Sequence, residues 1–266
     1  MCFADDSRPP IRPIAGGALD STELTLTSAD GASFRAFRTR PAEPMGAGML
    51  VLPDVRGLHA YYEELTLRFA EHGIAALAID YFGRTAGTAR HGAGFDHATH
   101  VGRTTFAGLT ADVRAGAAHL RSADDAGVDD LFVVGFCFGG RLALISATLD
   151  LDLSGAIGFY PGPTGPTRNG VPAPIEVVDK FQSPLLAIFG GADEGIGPPA
   201  VGSFEAALEE AGVDHRVITY PGAPHSFFDR KADDFAEASD AAWNEVLAFV
   251  ASRRRRTSSA RAGEPR

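Results

Sequence analysis

Cysteine is scarce in this sequence, and its scarcity limits how the fold can be held together. Of 266 residues, only Cys2 and Cys137 are cysteines. Two cysteines, one of them beside the first residue, do not suggest a disulfide framework, and a chain of this length can bury a large core without one. We therefore expect a reducing compartment and a free thiol at Cys137.

Long hydrophobic stretches are missing as well. No run of about 18 uncharged apolar residues occurs, so no transmembrane helix is expected. The first ten residues include two aspartates and two prolines and lack the basic start and apolar stretch of a signal peptide. With 45% hydrophobic and 22% charged residues, the composition is that of a globular protein. These observations predict a soluble cytoplasmic protein with no membrane partner.

Positive charge is also in short supply. The formal charge is −10, from 24 basic and 34 acidic residues, and only two of the basic residues are lysines. The last sixteen residues hold six arginines and one glutamate, a net of +5, so residues 1–250 carry −15. An acidic body repels nucleic acid and anionic membrane surfaces. No nucleic-acid partner is therefore expected, and the sequence does not indicate an oligomeric state.

Short apolar runs bounded by Gly, Pro or Asp predict the strands. Residues 23–27 and 33–39 alternate in polarity around an Asp-Gly turn, which indicates an antiparallel hairpin. Six further runs are largely apolar, as expected for strands of a parallel sheet that is covered on both faces. These six runs are residues 48–52, 74–79, 131–136, 155–159, 184–189 and 216–220.

Helical patterns lie between the predicted strands and set the fold class. They cover residues 61–72, 111–122 (with Thr110 as the cap), 141–148, 201–211 and 233–252. This alternation predicts a doubly wound α/β fold with a mostly parallel sheet and an antiparallel N-terminal hairpin at one edge. The predicted domain covers residues 20–252, between an N-terminal extension (1–19) and a disordered basic tail (253–266). Ligand sites in such folds lie at the carboxyl ends of the strands.

A candidate nucleophile lies directly after one of these strands. Residues 135–140 read Gly-Phe-Cys-Phe-Gly-Gly and are followed by a helix. This is the pattern of a nucleophile elbow with cysteine in place of serine, in which glycines let a sharp strand-to-helix turn close. The turn would present the sulfur of Cys137 at a helix N-terminus, where the dipole favours a thiolate. Without this context, Cys137 would read as an ordinary buried cysteine.

A cysteine nucleophile needs a base and an acid that orients the base. Asp193 follows the predicted strand 184–189, and His225 follows the last predicted strand, 216–220. Nucleophile, acid and histidine thus occur in the chain order of α/β hydrolases, each on a loop after a strand. Glu194 is an alternative to Asp193 for the acid.

These segments resemble the dienelactone hydrolase family, a cysteine-dependent branch of the α/β hydrolases. The resemblance covers roughly residues 20–250 and rests on the elbow, on Gly-Gly-Ala-Asp-Glu ending at Glu194, and on His-Ser-Phe-Phe beginning at His225. It implies the α/β-hydrolase fold. It also implies hydrolysis of lactone or ester bonds in small, often carboxylate-bearing molecules through an acyl-thiol intermediate, without a cofactor.

The resemblance also assigns residues near the nucleophile. Asp54 occupies the position of the family's acidic residue beside the cysteine, where the family pattern has a glutamate, and it would take the thiol proton. The backbone N–H groups of Val55 and Phe138 would form the oxyanion hole. Alternatively, Asp54 caps the helix that follows it. Tyr61 would line the substrate pocket, although packing in the core is equally expected.

The family binds a substrate carboxylate with arginines, and here the correspondence is incomplete. Arg84 matches the segment of the first arginine, with an ordinary surface arginine as the alternative. At the second position Asp229 stands at the matching step and Arg230 is one residue late. Arg56 competes for the same role.

Residues 83–109 form a long connection that could cover the site. Its histidines, at positions 91, 97 and 100, lack the partners of a metal site, so no metal is expected.

Three hypotheses follow for function. The first is an esterase or lactonase, similar to carboxymethylenebutenolidase, that uses Cys137, Asp193 and His225. The second is a thioesterase or acyltransferase with the same residues. The third is a redox-sensing or binding protein in which Cys137 is oxidised; for this, Cys2 would be a poor resolving partner.

Overall fold

The computed structural model describes residues 7–14, 20–92, 94–122, 124–166, 169–229 and 231–254. Most of the basic tail, Cys2 and Arg230 therefore lie outside the described residues, as does much of the predicted N-terminal extension. Within the described part of the chain, no helix is both long and apolar enough to cross a bilayer.

An eight-stranded sheet forms the centre of the molecule. Its strands are β1 (Asp20–Thr27), β2 (Ser33–Arg40), β3 (Ala47–Leu52), β4 (Ala75–Ile79), β5 (Asp130–Phe136), β6 (Gly155–Phe159), β7 (Leu185–Gly190) and β8 (His215–Tyr220). The spatial order is β1-β2-β4-β3-β5-β6-β7-β8. β2 pairs antiparallel with β1 and β4, and all other neighbours are parallel. The predicted α/β fold with a hairpin at one edge is confirmed.

Within the residues that the structure describes, seven α-helices connect or flank the strands. They are α1 (Ala60–Glu71), α2 (Gly83–Ala86), α3 (His97–Val101), α4 (Phe106–Arg121), α5 (Phe138–Ser146), α6 (Pro198–Glu210) and α7 (Ala236–Arg253). The short helices α2 and α3 and a 3₁₀ helix over Pro174–Lys180 were not expected from the sequence.

The predicted start of α4 was wrong. The helix begins one turn earlier, where the hydroxyl of Thr105 accepts a hydrogen bond from the N–H of Gly108 at 3.2 Å. Thr110 lies inside the helix, and its hydroxyl donates to the carbonyl of Ala107 instead. Because Thr105 and Thr110 both precede an apolar-periodic stretch, the sequence pattern did not distinguish the true cap.

The central strands lie in the core, and their carboxyl ends position the site. Every residue of β3, β4, β5, β6 and β7 is buried. A parallel strand enclosed by helices on both faces has no solvent-facing side, which explains why these segments are apolar throughout. Because these strands and β8 run parallel, the loops after β3, β5, β6, β7 and β8 all leave the sheet at the carboxyl ends of the strands.

Candidate active site

The turn between β5 and α5 is built around two glycines and a cysteine with unusual backbone geometry. A Cβ atom on Gly135 would lie 1.9 Å from the carbonyl oxygen of Gly139. One on Gly139 would lie 2.1 Å from the carbonyl oxygen of Pro53. Between them, Cys137 has φ 54° and ψ −111°, a conformation that costs a non-glycine residue free energy and is found at functional sites. The glycines of the elbow pattern are therefore required by close backbone packing.

This geometry places Cys137 at the N-terminus of α5. Its backbone N–H donates to the carbonyl of Phe159 at 3.0 Å, which ties the turn to the end of β6. Its side chain is partly buried and is a free thiol. Phe138 is the first residue of the helix, where backbone N–H groups have no acceptor within the helix.

His225 and Asp193 form a hydrogen-bonded pair at the same edge of the sheet. Nδ1 of His225 lies 2.6 Å from Oδ2 of Asp193. Oδ1 of Asp193 accepts hydrogen bonds from the N–H groups of Gly195 at 2.8 Å and Ile196 at 3.1 Å. The Asp193 side chain is 2% exposed and the His225 side chain 33% exposed, so a buried carboxylate holds a ring that reaches solvent. Glu194, the alternative acid, is exposed.

The environment of Asp193 favours its charged form. Burial, the largest single influence, raises the pKa of this carboxyl group, but the hydrogen bond and charge of His225 act against it. The two backbone N–H groups add to this effect, and the pKa of Asp193 lies below its ordinary value. An ionised Asp193 can hold Nδ1 of His225 protonated, which leaves Nε2 as the basic nitrogen.

Cys137 and His225 line one cavity. Its volume is about 310 Å³, within the range of small-molecule sites. Its lining comprises Cys137, Phe138, Arg141, Tyr160, Gly162, Thr164, Pro166, Val171, Ile196 and His225. The tertiary structure thus brings a thiol on β5–α5 and an imidazole on the loop after β8 to the same opening.

Asp54 is fully buried behind the elbow. Its Oδ1 accepts the N–H of Arg56 at 2.8 Å, and its own N–H donates to the hydroxyl oxygen of Tyr62 at 3.0 Å. The alternative role as a helix cap is wrong, because α1 begins after His59 and has no side-chain cap. Burial raises the pKa of Tyr81, and the charges of Asp54 and Asp80 act on it in the same direction.

Arg84, which was predicted to bind substrate, lies outside the cavity. Arg84 donates to Asp112 and makes two bonds to Asp30, at 2.8 and 3.0 Å, so it joins the β1–β2 turn to α4. It does not line the cavity. These contacts favour a structural role. Arg56, which competed for the same role, is buried at 8% exposure and is absent from the described lining of the cavity. Arg230 lies outside the described residues.

Of the two roles expected for Tyr61, the structure supports packing in the core. Its ring is 2% exposed and its hydroxyl donates to the carbonyl of Phe228 at 2.9 Å. It therefore fastens the loop that carries His225, as a core residue, and is absent from the cavity lining.

Sequence reasoning missed Tyr160, which directly follows β6. Tyr160 is fully buried with φ 39°, and its hydroxyl donates to Oδ2 of Asp229 at 2.9 Å. Its ring lies 4.7 Å from the His225 ring, between centroids. The signal was available, since Tyr160 is the first residue beyond a strand whose carboxyl end faces the site.

The connection that was expected to cover the site packs elsewhere. No described residue of 83–109 lines the cavity. Nε2 of His91 lies 2.8 Å from Oδ2 of Asp80. The rings of His91 and His100 both stack on the ring of Phe95, with centroid-to-centroid distances of 3.8 and 4.8 Å. Among the described side chains, no group of three or more His, Cys, Asp or Glu could hold a metal ion.

Comparisons with known proteins identify the family of this chain. The family model described as the dienelactone hydrolase family matches residues 34–253. A Synechocystis protein named "Putative carboxymethylenebutenolidase" is 29% identical over 215 residues, 77% of this chain and 87% of the relative. A protein of the same name from Escherichia coli K12 is 27% identical over 260 residues, 92% of this chain and 93% of the relative.

Solved structures show the same similarity. A Klebsiella pneumoniae crystal structure described as a "Putative Dienelactone Hydrolase" has a TM-score of 0.76 and 25% identity, and the match covers 88% of this chain and 99% of that one. The chain therefore belongs to the dienelactone hydrolase family, within the class of carboxylic ester hydrolases. The predicted family, the α/β-hydrolase fold and the class of ester hydrolase are confirmed.

Proposed function

We propose that the protein hydrolyses esters or lactones of small molecules through an acyl intermediate on Cys137. The observation that carries this proposal is the shared cavity, into which the elbow thiol and the Asp193-bound imidazole of His225 both open. A thiol that is paired with an oriented base is the arrangement used for covalent acyl transfer.

In the first half-reaction, the thiol of Cys137 gives its proton to His225, or to Asp54 while His225 is already protonated; the same group returns a proton to the sulfur when the thiol is regenerated. The thiolate then attacks the substrate carbonyl and forms a carbon–sulfur bond. The backbone N–H groups of Val55 and Phe138 are proposed to hold the resulting oxyanion; removing one such donor typically costs about 3–4 kcal/mol of barrier lowering. The carbon–oxygen bond breaks as His225 protonates the departing alcohol, which remains attached to the acyl group if the substrate is a lactone.

In the second half-reaction, water attacks the thioester while His225 removes a proton from the water. The carbon–sulfur bond breaks, the carboxylic acid leaves, and the thiol is regenerated. Asp193 would keep the His225 ring in the same orientation in both halves. Because a thiolate leaves readily but a thioester reacts slowly with water, activated esters and strained or conjugated lactones are the preferred substrates.

The test compares Cys137→Ala with Cys2→Ala, a matched loss of the other thiol. With 4-nitrophenyl acetate, we expect Cys137→Ala to lower kcat/KM by more than about 1,000-fold, and Cys2→Ala to leave it unchanged. Mass spectrometry of acid-quenched wild type should locate the acetyl group on Cys137, and iodoacetamide should abolish activity. Full hydrolysis by Cys137→Ala would contradict the proposal.

A further inference from the structure

The proposed reaction needs two backbone N–H groups that are available to bind an oxyanion. In the described part of the chain, each N–H group of residues 54–58 donates a hydrogen bond at 2.8 to 3.1 Å, except that of Val55. The N–H of Phe138, at the start of α5, likewise has no acceptor among the residues that the structure describes. These two unused donors are the ones that would bind the oxyanion.

Tyr81 contacts both of the segments that carry these N–H groups. It lies two residues beyond the end of β4, is 3% exposed, and donates a hydrogen bond from its hydroxyl to the carbonyl of Pro53 at 2.8 Å. Its ring meets the ring of Phe138 edge to face, with centroids 5.4 Å apart and an angle of 81° between the planes. One buried side chain therefore joins the loop after β3 to the first residue of α5.

The carbonyl of Pro53 belongs to the peptide group next to the one that carries the N–H of Val55. The N–H of that same peptide group, on Asp54, donates to the hydroxyl oxygen of Tyr62 at 3.0 Å. Two buried tyrosine hydroxyls thus bind the two polar ends of one peptide group. Because consecutive peptide planes are separated by only two soft dihedral angles, fixing this plane limits how the N–H of Val55 can turn.

The residue before Tyr81 holds the other end of the same loop. Asp80 is fully buried, and its Oδ1 accepts the N–H of Leu58 at 3.0 Å. A Cβ atom on Gly57, which has φ 77°, would lie 2.4 Å from the same oxygen. The carboxyl end of β4 therefore fixes this loop at both of its ends.

We propose that Tyr81 is a positioning residue that holds the N–H groups of Val55 and Phe138 in the arrangement that binds the oxyanion. The proposal rests on the function proposed above, because the oxyanion forms only when Cys137 attacks a carbonyl group. Tyr81 is absent from the described lining of the cavity and acts through the two segments that it joins. Loss of its hydroxyl should slow the steps that develop negative charge on oxygen and spare the reactivity of the thiol.

The experiment compares two reactions of the same sulfur atom. Acylation by 4-nitrophenyl acetate passes through an oxyanion, and its rate constant is kcat/KM. Alkylation by iodoacetamide is a displacement of iodide at a saturated carbon, so its rate depends on the thiolate and not on an oxyanion hole. Both rate constants are measured at one pH for wild type, Tyr81→Phe, Tyr62→Phe and Tyr220→Phe. Mass spectrometry identifies the labelled residue, and urea unfolding establishes that each variant is folded.

We expect Tyr81→Phe to lower the rate constant for acylation roughly 10- to 100-fold, because one donor is misplaced and not deleted. Alkylation should stay within about threefold of wild type, because the thiol and its base are unchanged. Tyr220→Phe makes the same chemical change at the end of β8, where the ring contacts Phe227, and should leave both rate constants unchanged.

Tyr62→Phe reaches the same peptide group from its other end, since it removes the acceptor of the Asp54 N–H. It should also slow acylation more than alkylation. A purely structural role for Tyr81 would slow acylation and alkylation in parallel, and that result in Tyr81→Phe would overturn the inference. Unchanged acylation in Tyr81→Phe would do the same.

The two proposals fail in different ways. If Cys137→Ala still hydrolyses 4-nitrophenyl acetate as wild type does, the proposed function is wrong. If wild type is acylated on Cys137 and Tyr81→Phe keeps the wild-type ratio of acylation to alkylation, only the role of Tyr81 is wrong.

Discussion

Replacing Asp193 by asparagine tests how His225 is held for proton transfer. In the structure one oxygen of Asp193 binds Nδ1 of His225 at 2.6 Å and the other accepts two backbone N–H groups at 2.8 and 3.1 Å. Because those two backbone donors keep one side-chain oxygen in place, an asparagine would turn its NH₂ group toward Nδ1. His225 would then have to accept at Nδ1 and carry its proton on Nε2, the wrong tautomer for a base at Nε2.

The expected loss of rate follows from how much a positioned acid or base contributes to catalysis. General acid–base catalysis contributes typically about 10²- to 10⁴-fold, which corresponds to roughly 2.7–5.4 kcal/mol of barrier. We expect Asp193→Asn to lower kcat/KM for 4-nitrophenyl acetate within that range. The acidic limb of the pH–rate profile, which reports protonation of the imidazole base, should also shift or disappear. The assay is a full pH profile of kcat/KM, with urea unfolding to establish that the variant is folded.

Glu194→Gln is the matched control, since it makes the same chemical change at the adjacent, exposed position. It should leave the rate and the pH profile as in wild type. An Asp193→Asn enzyme within threefold of wild type would refute the reasoning, as would a Glu194→Gln enzyme that is equally impaired.

Two further predictions concern stability. Tyr160→Phe removes a hydrogen bond to the buried carboxylate of Asp229. It should lower the free energy of unfolding by about 1.5–3 kcal/mol, whereas Tyr61→Phe, which loses a bond to a neutral carbonyl, should cost about 0.5–1.5 kcal/mol. Urea titration measures both, and equal losses would contradict the distinction. Burial lowers the pKa of His59 and His72 from 6.5 in the folded chain. Below pH 6.5 the unfolded chain therefore binds protons that the folded chain does not, and the free energy of unfolding should fall as the pH drops through this window. The double variant with glutamine at both positions should flatten that dependence, and an unchanged slope would refute the assignment.

Much of the fold was predictable because its signals are local. A strand that is buried on both faces must be apolar along its whole length, so the runs that became β3 to β7 stood out in the sequence. The elbow was equally predictable from the sequence. Its glycines are set by contacts within the turn and with the adjacent strand, such as the 1.9 Å approach that a Cβ on Gly135 would make.

Helix starts and side-chain partners were less predictable. Thr105 and Thr110 offer the same capping chemistry, and only the hydrogen bond to Gly108 shows which one begins α4. Arg84 read as a substrate ligand because of its place in the chain, yet its partners Asp30 and Asp112 lie far from it in sequence.

The sequence by itself determined that β-strands and helices alternate, that a cysteine follows one strand at a glycine-flanked turn, and that an acid and a histidine follow later strands. Only the tertiary structure decided which charges face the cavity. Arg141 and Tyr160 line the cavity because their backbone positions lie near the carboxyl ends of neighbouring strands. Arg84 instead forms ion pairs with two carboxylates outside the cavity. The physical reason is range: strand and turn propensities act over a few residues, whereas the partner of a charged side chain depends on which distant segments pack beside it.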